Sequence, residues 1–291
     1  MFVHASIRAV GRVEGGAEAV AGALRDVVGP EGTLSAPAFA FRHELEPEPL
    51  IDPRSDRSEM GAITEAVRRA PGARTSVAYR HAVSAVGPKA DWICGAPEDV
   101  SPFDRDGAFG RLLALGAKVL LIGVAYTHCT CGHFAEYLNE VDYRRVILQP
   151  VRLVQPDGTV RRTTLVDYQP KPTADGSYYH RPDDFNKAGA LLEETGAVAV
   201  RAIGNAMCRL FAMKDYMDLV GGHFQRGRNV LYFEDGQVEG TPLADGVLVE
   251  EHYLCEADRD EISMLSVVRP EDVHASRPGR MSATPVEGGH G

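Results

Sequence analysis

Hydrophobic and polar positions change period repeatedly along the chain, and each change marks an element. "GGAEAVAGALRDVVG" (15–29) places apolar residues at helical spacing and stops at Gly29-Pro30. "GAITEAVRRAPGA" (61–73) repeats that pattern and closes on Pro71-Gly72. "AFGRLLALGA" (108–117) predicts a third helix, running straight into "KVLLIGV" (118–124). That run and "GTLSAPAF" (32–39) are short, apolar and bounded by glycine, as buried strands are. "VRLVQPDGTVRRTTLVDY" (151–168) reads instead as two strands about Pro156-Asp157-Gly158, a hairpin. Two further helices, "FNKAGALLEETGA" (185–197) and "MKDYMDLVGGHF" (213–224), flank "VRAIGNAMCRLF" (200–211).

Helices alternating with buried strands predict a layered α/β/α sandwich about a mostly buried central sheet. The reading is one domain over 1–275, whose residues 225–265 form a β-rich extension ("RNVLYFEDGQV", "GVLVEEHYLC"). Residues 276–291, rich in Pro, Gly and Ser, are expected to be disordered. No internal repeat is evident.

Composition narrows the function classes. A net charge of −10 over 291 residues argues against nucleic acid, which needs a basic face, and suits cationic small molecules. No apolar run reaches the roughly 18 residues of a membrane span. The first residues show no basic head followed by an apolar block, so no signal peptide is expected. Five scattered cysteines in a chain of this size read as reduced thiols in a cytoplasmic setting.

The densest chemistry lies in "AYTHCTCGHFAEYLNE" (125–140), where three readings compete. His128, Cys129, Cys131 and His133 are zinc-ligand types, but their spacing is tighter than usual and lacks a second pair. Cys129 or Cys131 could be a nucleophile with His133 as base and Glu136 as orienter. Third, a helix entered near Gly132 would put His133 and Glu136 on one face, three residues apart. A carboxylate on one ring nitrogen fixes the tautomer and raises the basicity of the other, making a metal-free general base. Such a pair just past the carboxyl end of the Val124 strand sits where α/β sheets bind ligands.

Three segments in order carry a resemblance: "VHASIRAVGRVEGGAEAVAGALRDVVGPEGTLSAPAF" (3–39), "SEMGAITEAVRRAPGARTSVAYRHAVSAVG" (58–87) and "LLIGVAYTHCTCGHFAEY" (120–137). With "VRAIGNAMCRLF" they resemble the antibiotic N-acetyltransferase family, of the aminoglycoside 3-N-acetyltransferase type and not the GNAT fold. The most specific piece is T-x-x-H-x-x-E, here Thr130, His133 and Glu136. The resemblance implies acetyl transfer from acetyl-coenzyme A to an amine, with His133 as base, Glu136 orienting it and Thr130 helping to hold the thioester carbonyl. No metal is implied.

Coenzyme A carries phosphates. The opening H-x-S-[LI]-R-x-x-G-x-x-x-G-G, with Ser6, Ile7, Arg8, Gly15 and Gly16, leads to a helix start, where free N–H groups favour anions. Arg80, His81 and Ser84 form the second expected donor group. For the acceptor the candidates are Asp142, Tyr178, His180 and Asp183, from an acidic and aromatic stretch able to meet a polycation. The middle segment departs from the family pattern at Ala78-Tyr79, where His-Pro is usual, and at Ala82. Cys129 stands where an Asn is common. A biosynthetic acyltransferase of specialised metabolism is therefore the narrow preference over a resistance enzyme. An acyl carrier protein as donor, a homodimer, and a non-catalytic metabolite-binding role are the other readings that the sequence leaves open.

Overall fold

A computed structural model describes residues 1–171, 183–233 and 240–243. The strands are β1 (Phe2–Ala5), β2 (Leu34–Pro37), β3 (Leu50–Ile51), β4 (Arg74–Thr75), β5 (Val83–Val86), β6 (Lys118–Ile122), β7 (Arg144–Val154), β8 (Val160–Pro170), β9 (Ala199–Ile203) and β10 (Ala206–Ala212). The α-helices are α1 (Ile7–Val10), α2 (Gly16–Val28), α3 (Ala62–Arg68), α4 (Ala90–Cys94), α5 (Ala108–Ala114), α6 (Cys131–Leu138), α7 (Phe185–Glu194) and α8 (Met213–Gln225).

Seven strands form the main sheet in the order β4-β5-β2-β1-β6-β10-β9. Its centre, β2-β1-β6, is parallel, and antiparallel strands complete both sides. "VRAIGNAMCRLF" supplies most of the β9–β10 hairpin, which turns at Gly204-Asn205 and pairs with β6 through β10.

Alternation along the central strands builds the two cores, because successive side chains leave opposite faces of a sheet. Val3, Ala5, Leu120 and Ile122 pack against Ala17, Ala21 and Leu24 of α2 and Ile63 and Val67 of α3. Phe2, Val119 and Leu121 meet Phe109, Phe134, Leu192 and Val220 of the helices on the other face. Burying a side chain such as Leu121 or Phe134 contributes roughly 1.5–3 kcal/mol, so these faces hold the layers together. This is the α/β/α sandwich that the sequence predicts.

The predicted hairpin is present and longer than its pattern suggests. β7 and β8 pair antiparallel from Arg144–Pro170 to Val154–Val160, and β3 adds a parallel edge to make a second, three-stranded sheet. The turn is an Asx type: Asp157 Oδ1 accepts from the Thr159 amide at 2.9 Å and its hydroxyl at 2.7 Å. Gly158, with φ of 87°, takes the left-handed position.

Residues 226–233 and 240–243 are the described parts of the expected β-rich extension. They contribute one isolated bridge, Asp183 with Tyr232, and no strand among the described residues. These described parts pack back onto the domain. Asn229 donates to the Tyr143 hydroxyl at 3.2 Å, and the Thr241 amide and hydroxyl both donate to buried Asp184. The remainder of the extension, the tail from 276, and the candidates Tyr178 and His180 lie outside the described residues. Among the described residues no helix is long and apolar enough to cross a membrane.

Candidate active site

The site forms where the chain leaves the carboxyl ends of the neighbouring parallel strands β1 and β6, the position at which open α/β sheets gather ligands. After β6 the chain makes a short 3-10 turn (Tyr126–His128) and enters α6 through Thr130. α6 buries Phe134 and Ala135 against the core, and the same rotation turns His133 to the rim with Glu136 behind it.

His133 Nδ1 lies 2.8 Å from Glu136 Oε2. Glu136 is fully buried, whereas 23% of the His133 side chain remains exposed. An ionised carboxylate only accepts, so against it Nδ1 carries the proton and Nε2 keeps its lone pair. Burial, followed by the nearby Arg144 charge, holds His133 well below the usual imidazole range, so it rests neutral. Burial likewise raises Glu136, against the opposing pull of Arg144.

Arg144, the first residue of β7, has Nε 2.5 Å from Glu136 Oε2 and Nη2 3.2 Å from Asp183 Oδ2. Its guanidinium lies over the Tyr168 ring at 5.6 Å. The second sheet thus delivers the cation that neutralises the buried carboxylate. Nothing in the run "DYRR" singles this residue out from Arg145; only strand alternation, with 144 buried and 145 exposed, hints at it. Tyr143, whose hydroxyl accepts from Asn229 at 3.2 Å, is a second residue that sequence reasoning passes over.

Around the imidazole stand Phe185, edge-on with centroids 5.0 Å apart, and His81 at 5.9 Å. His81, expected in the donor group, is therefore beside the dyad. It is buried and neutral, held well below the imidazole range by desolvation and then by Arg80. Arg80 itself is occupied by Glu44 at 3.0 Å and Asp167 at 3.6 Å. Ser84 is completely buried in β5, its hydroxyl 2.8 Å from that of Thr75 on β4, so it serves the sheet. Asp183 reaches the dyad through Arg144, and Asp142 is exposed on the turn before β7.

The opening loop leaves β1 beside β6, where the Ser6 amide donates to the Ile122 carbonyl at 2.9 Å. Ser6 caps α1 by accepting from the Ala9 amide at 3.4 Å, Ile7 is half-buried, and Arg8 is exposed. Gly15 (φ 77°) and Gly16 (φ 62°) turn the chain into α2 in a conformation other residues adopt only with strain. The loop also packs so tightly that a Cβ at Gly123 would lie 2.3 Å from that of Ala9. Thr130 is buried, and its backbone amide is committed to His4 Nε2 at 3.4 Å.

The structure disfavours the cysteine nucleophile. Cys129 and Cys131 have no exposure and lie within the apolar core. The bond from Cys129 and desolvation push the Cys131 thiol well above its ordinary range. The departures from the family pattern are apolar packing: Ala78 and Ala82 pack with Ala38, and Tyr79 joins the core of the second sheet. Among the described residues no three His, Cys, Asp or Glu side chains converge as a metal site.

A buried carboxylate paired with a rim histidine thus lies at the ligand-binding end of an α/β/α sheet. A family profile for aminoglycoside 3-N-acetyltransferase matches residues 2–225, and the chain belongs to that family of acetyltransferase enzymes. Aminoglycoside N(3)-acetyltransferase IV from Salmonella sp is 30% identical over 237 residues, covering 80% of this chain and 82% of the relative. Aminoglycoside N(3)-acetyltransferase III from Acinetobacter baumannii is 28% identical over 232 residues, 74% and 81% of the two chains. A mutant of aminoglycoside acetyltransferase AAC(3)-IVa in complex with a gentamicin superposes with a TM-score of 0.62 at 26% identity, covering 77% of this chain and 81% of that one.

Proposed function

We propose that this protein transfers an acetyl group from acetyl-coenzyme A to an amine of an aminoglycoside-like polycation, in antibiotic modification or specialised metabolism. The observation that carries the reading is the 2.8 Å contact between rim His133 and fully buried Glu136. A free amine attacks the thioester carbon, forming the C–N bond, and His133 Nε2 takes the proton that the nitrogen sheds. Glu136 stabilises the imidazolium from behind. The C–S bond then breaks, and the thiolate leaves with that proton as free coenzyme A. The Thr130 amide is taken by His4, so its hydroxyl is the part of Thr130 left to hold the carbonyl oxygen.

Two features support the partners. The loop bearing Ser6, Ile7, Arg8, Gly15 and Gly16 ends at the amino terminus of α2, a 13-residue helix whose dipole favours coenzyme A phosphates. Asp183, with a third of its side chain exposed beside the dyad, offers a carboxylate to a cationic acceptor. The named relatives act on aminoglycosides, which accords with the net charge of −10.

The test is free-thiol release from acetyl-coenzyme A with gentamicin-type aminoglycosides and simpler amines, comparing wild type with His133→Ala. Amine-dependent release that falls about 10²–10⁴-fold in the variant is expected. Equal release by both proteins would remove His133 from the chemistry. Release only from an acyl carrier protein thioester would move the donor to a carrier.

A further inference from the structure

We propose that Arg144 is a positioning residue that selects the catalytic tautomer of His133 by keeping buried Glu136 an anion. The inference rests on the acyl-transfer reading of the same site.

Glu136 has no exposure, so water does not stabilise its charge. A carboxyl group so placed takes up a proton unless a cation stands against it. Arg144 is that cation, and it addresses Oε2, the same oxygen that faces His133 Nδ1. The alternative has a definite chemical cost. A protonated Glu136 would donate to Nδ1, and the imidazole proton would then sit on Nε2. The nitrogen facing the substrate would have no lone pair. Protonation of His133 itself, as an ion pair with Glu136, would disable Nε2 in the same way.

Three partners on three elements hold Arg144 in place: Glu136 on α6, Asp183 ahead of α7, and the Tyr168 ring on β8. The other titratable and charged groups facing the dyad are Tyr143 ahead of β7, Tyr216 on α8, and His81 with Arg80 between β4 and β5. Arg80 is taken up by Glu44 and Asp167. The tyrosines are held above their ordinary range and His81 below its own, so these are neutral at working pH, while Arg80 stays a cation within its own ion pairs. With Glu136 and Asp183 anionic and Arg144 cationic, these three carry one net negative charge. Removing Arg144 makes it two, and the dyad draws in a proton.

The experiment measures the His133 tautomer directly, by 15N imidazole shifts of the acetyl-donor-free protein, and kcat/KM against pH. Wild type is expected to show Nδ1–H, Nε2-unprotonated His133 at pH 7. Arg144→Gln is expected to lose that signature and to move the acid limb of kcat/KM upward by at least about one pH unit, with activity recovering on the alkaline side. Arg144→Lys, which keeps the cation, is expected to fold and retain both the tautomer and the limb. It carries the test alone should the glutamine variant not fold. An unchanged tautomer in Arg144→Gln with a uniformly lower rate would reduce Arg144 to scaffolding and overturn the inference, as would a limb displaced in Arg144→Lys. The tautomer readout needs no acyl donor, so it stands apart from the thiol-release test that judges the acyl-transfer reading.

Discussion

His4 and Thr130, 126 residues apart, are joined where the Thr130 amide donates to His4 Nε2 at 3.4 Å. The contact ties the end of β1 to the start of α6, and so sets where the helix carrying His133 begins. His4 has its ring 4.9 Å from that of Phe2 and points toward α6 rather than toward α2. His4→Phe keeps the ring and removes the acceptor. It is expected to destabilise the fold by about 1–3 kcal/mol, because a buried amide is left unpaired. Urea unfolding measures this, and an unchanged midpoint would mean that the amide finds another partner.

Four histidines held neutral by burial make the protein acid-sensitive. His4 is drawn down to about 3 by burial and then by His128, and His128 to about 4 by burial. His81 and His133 are also held low. Below pH ~6.5 the unfolded chain binds protons at these residues that the folded chain refuses, so stability falls with falling pH. Each uncompensated histidine adds a slope of about 1.4 kcal/mol per pH unit. Glu136 and Asp183, which are raised, gain stability on acidification and offset at most two of the four. The melting temperature is expected to drop steadily from about pH 7 to about pH 5, and a flat profile would show that the histidines are charged in the fold.

Gly132 gives Phe185 its position against the His133 ring. A Cβ at 132 would come within 2.4 Å of the Phe185 ring, which meets His133 edge-on. Gly132→Ala is expected to cost about 1–3 kcal/mol through overpacking and to displace Phe185 into His133. A fall of about tenfold in kcat with the coenzyme A KM unchanged is the expected kinetic result, since ring placement and not donor binding is disturbed. Unaltered kcat would show that Phe185 moves away from the site.

The cysteines offer the contrary test. Cys129→Ala and Cys131→Ala remove small buried groups that do not touch solvent. Both are expected to keep thiol-release activity within about threefold, at some cost in stability. Iodoacetamide is expected to leave the native wild type active. Rapid inactivation traced to either residue would revive a covalent route.

Much of this architecture was legible in the chain itself, because it rests on local periodicity. Helical spacing marked α2, α3, α5, α7 and α8, glycine-bounded apolar runs marked β2 and β6, and Pro156-Asp157-Gly158 marked the β7–β8 turn. The dyad was legible for the same reason: His133 and Glu136 are one helical turn apart, so local geometry alone brings them together. What the tertiary structure decided was everything that depends on long separation in sequence. Arg144 meets Glu136 because a second sheet docks its first residue under α6, and His4 meets Thr130 because β1 and β6 are neighbours. His81, read as a donor-site residue, lies beside the His133 ring, and Ser84 lies inside a strand, since neither burial nor cross-strand pairing is written in a short motif. Sequence spacing determines which groups share an element. Burial, and with it the charge state of those groups, belongs to the packing of elements against one another.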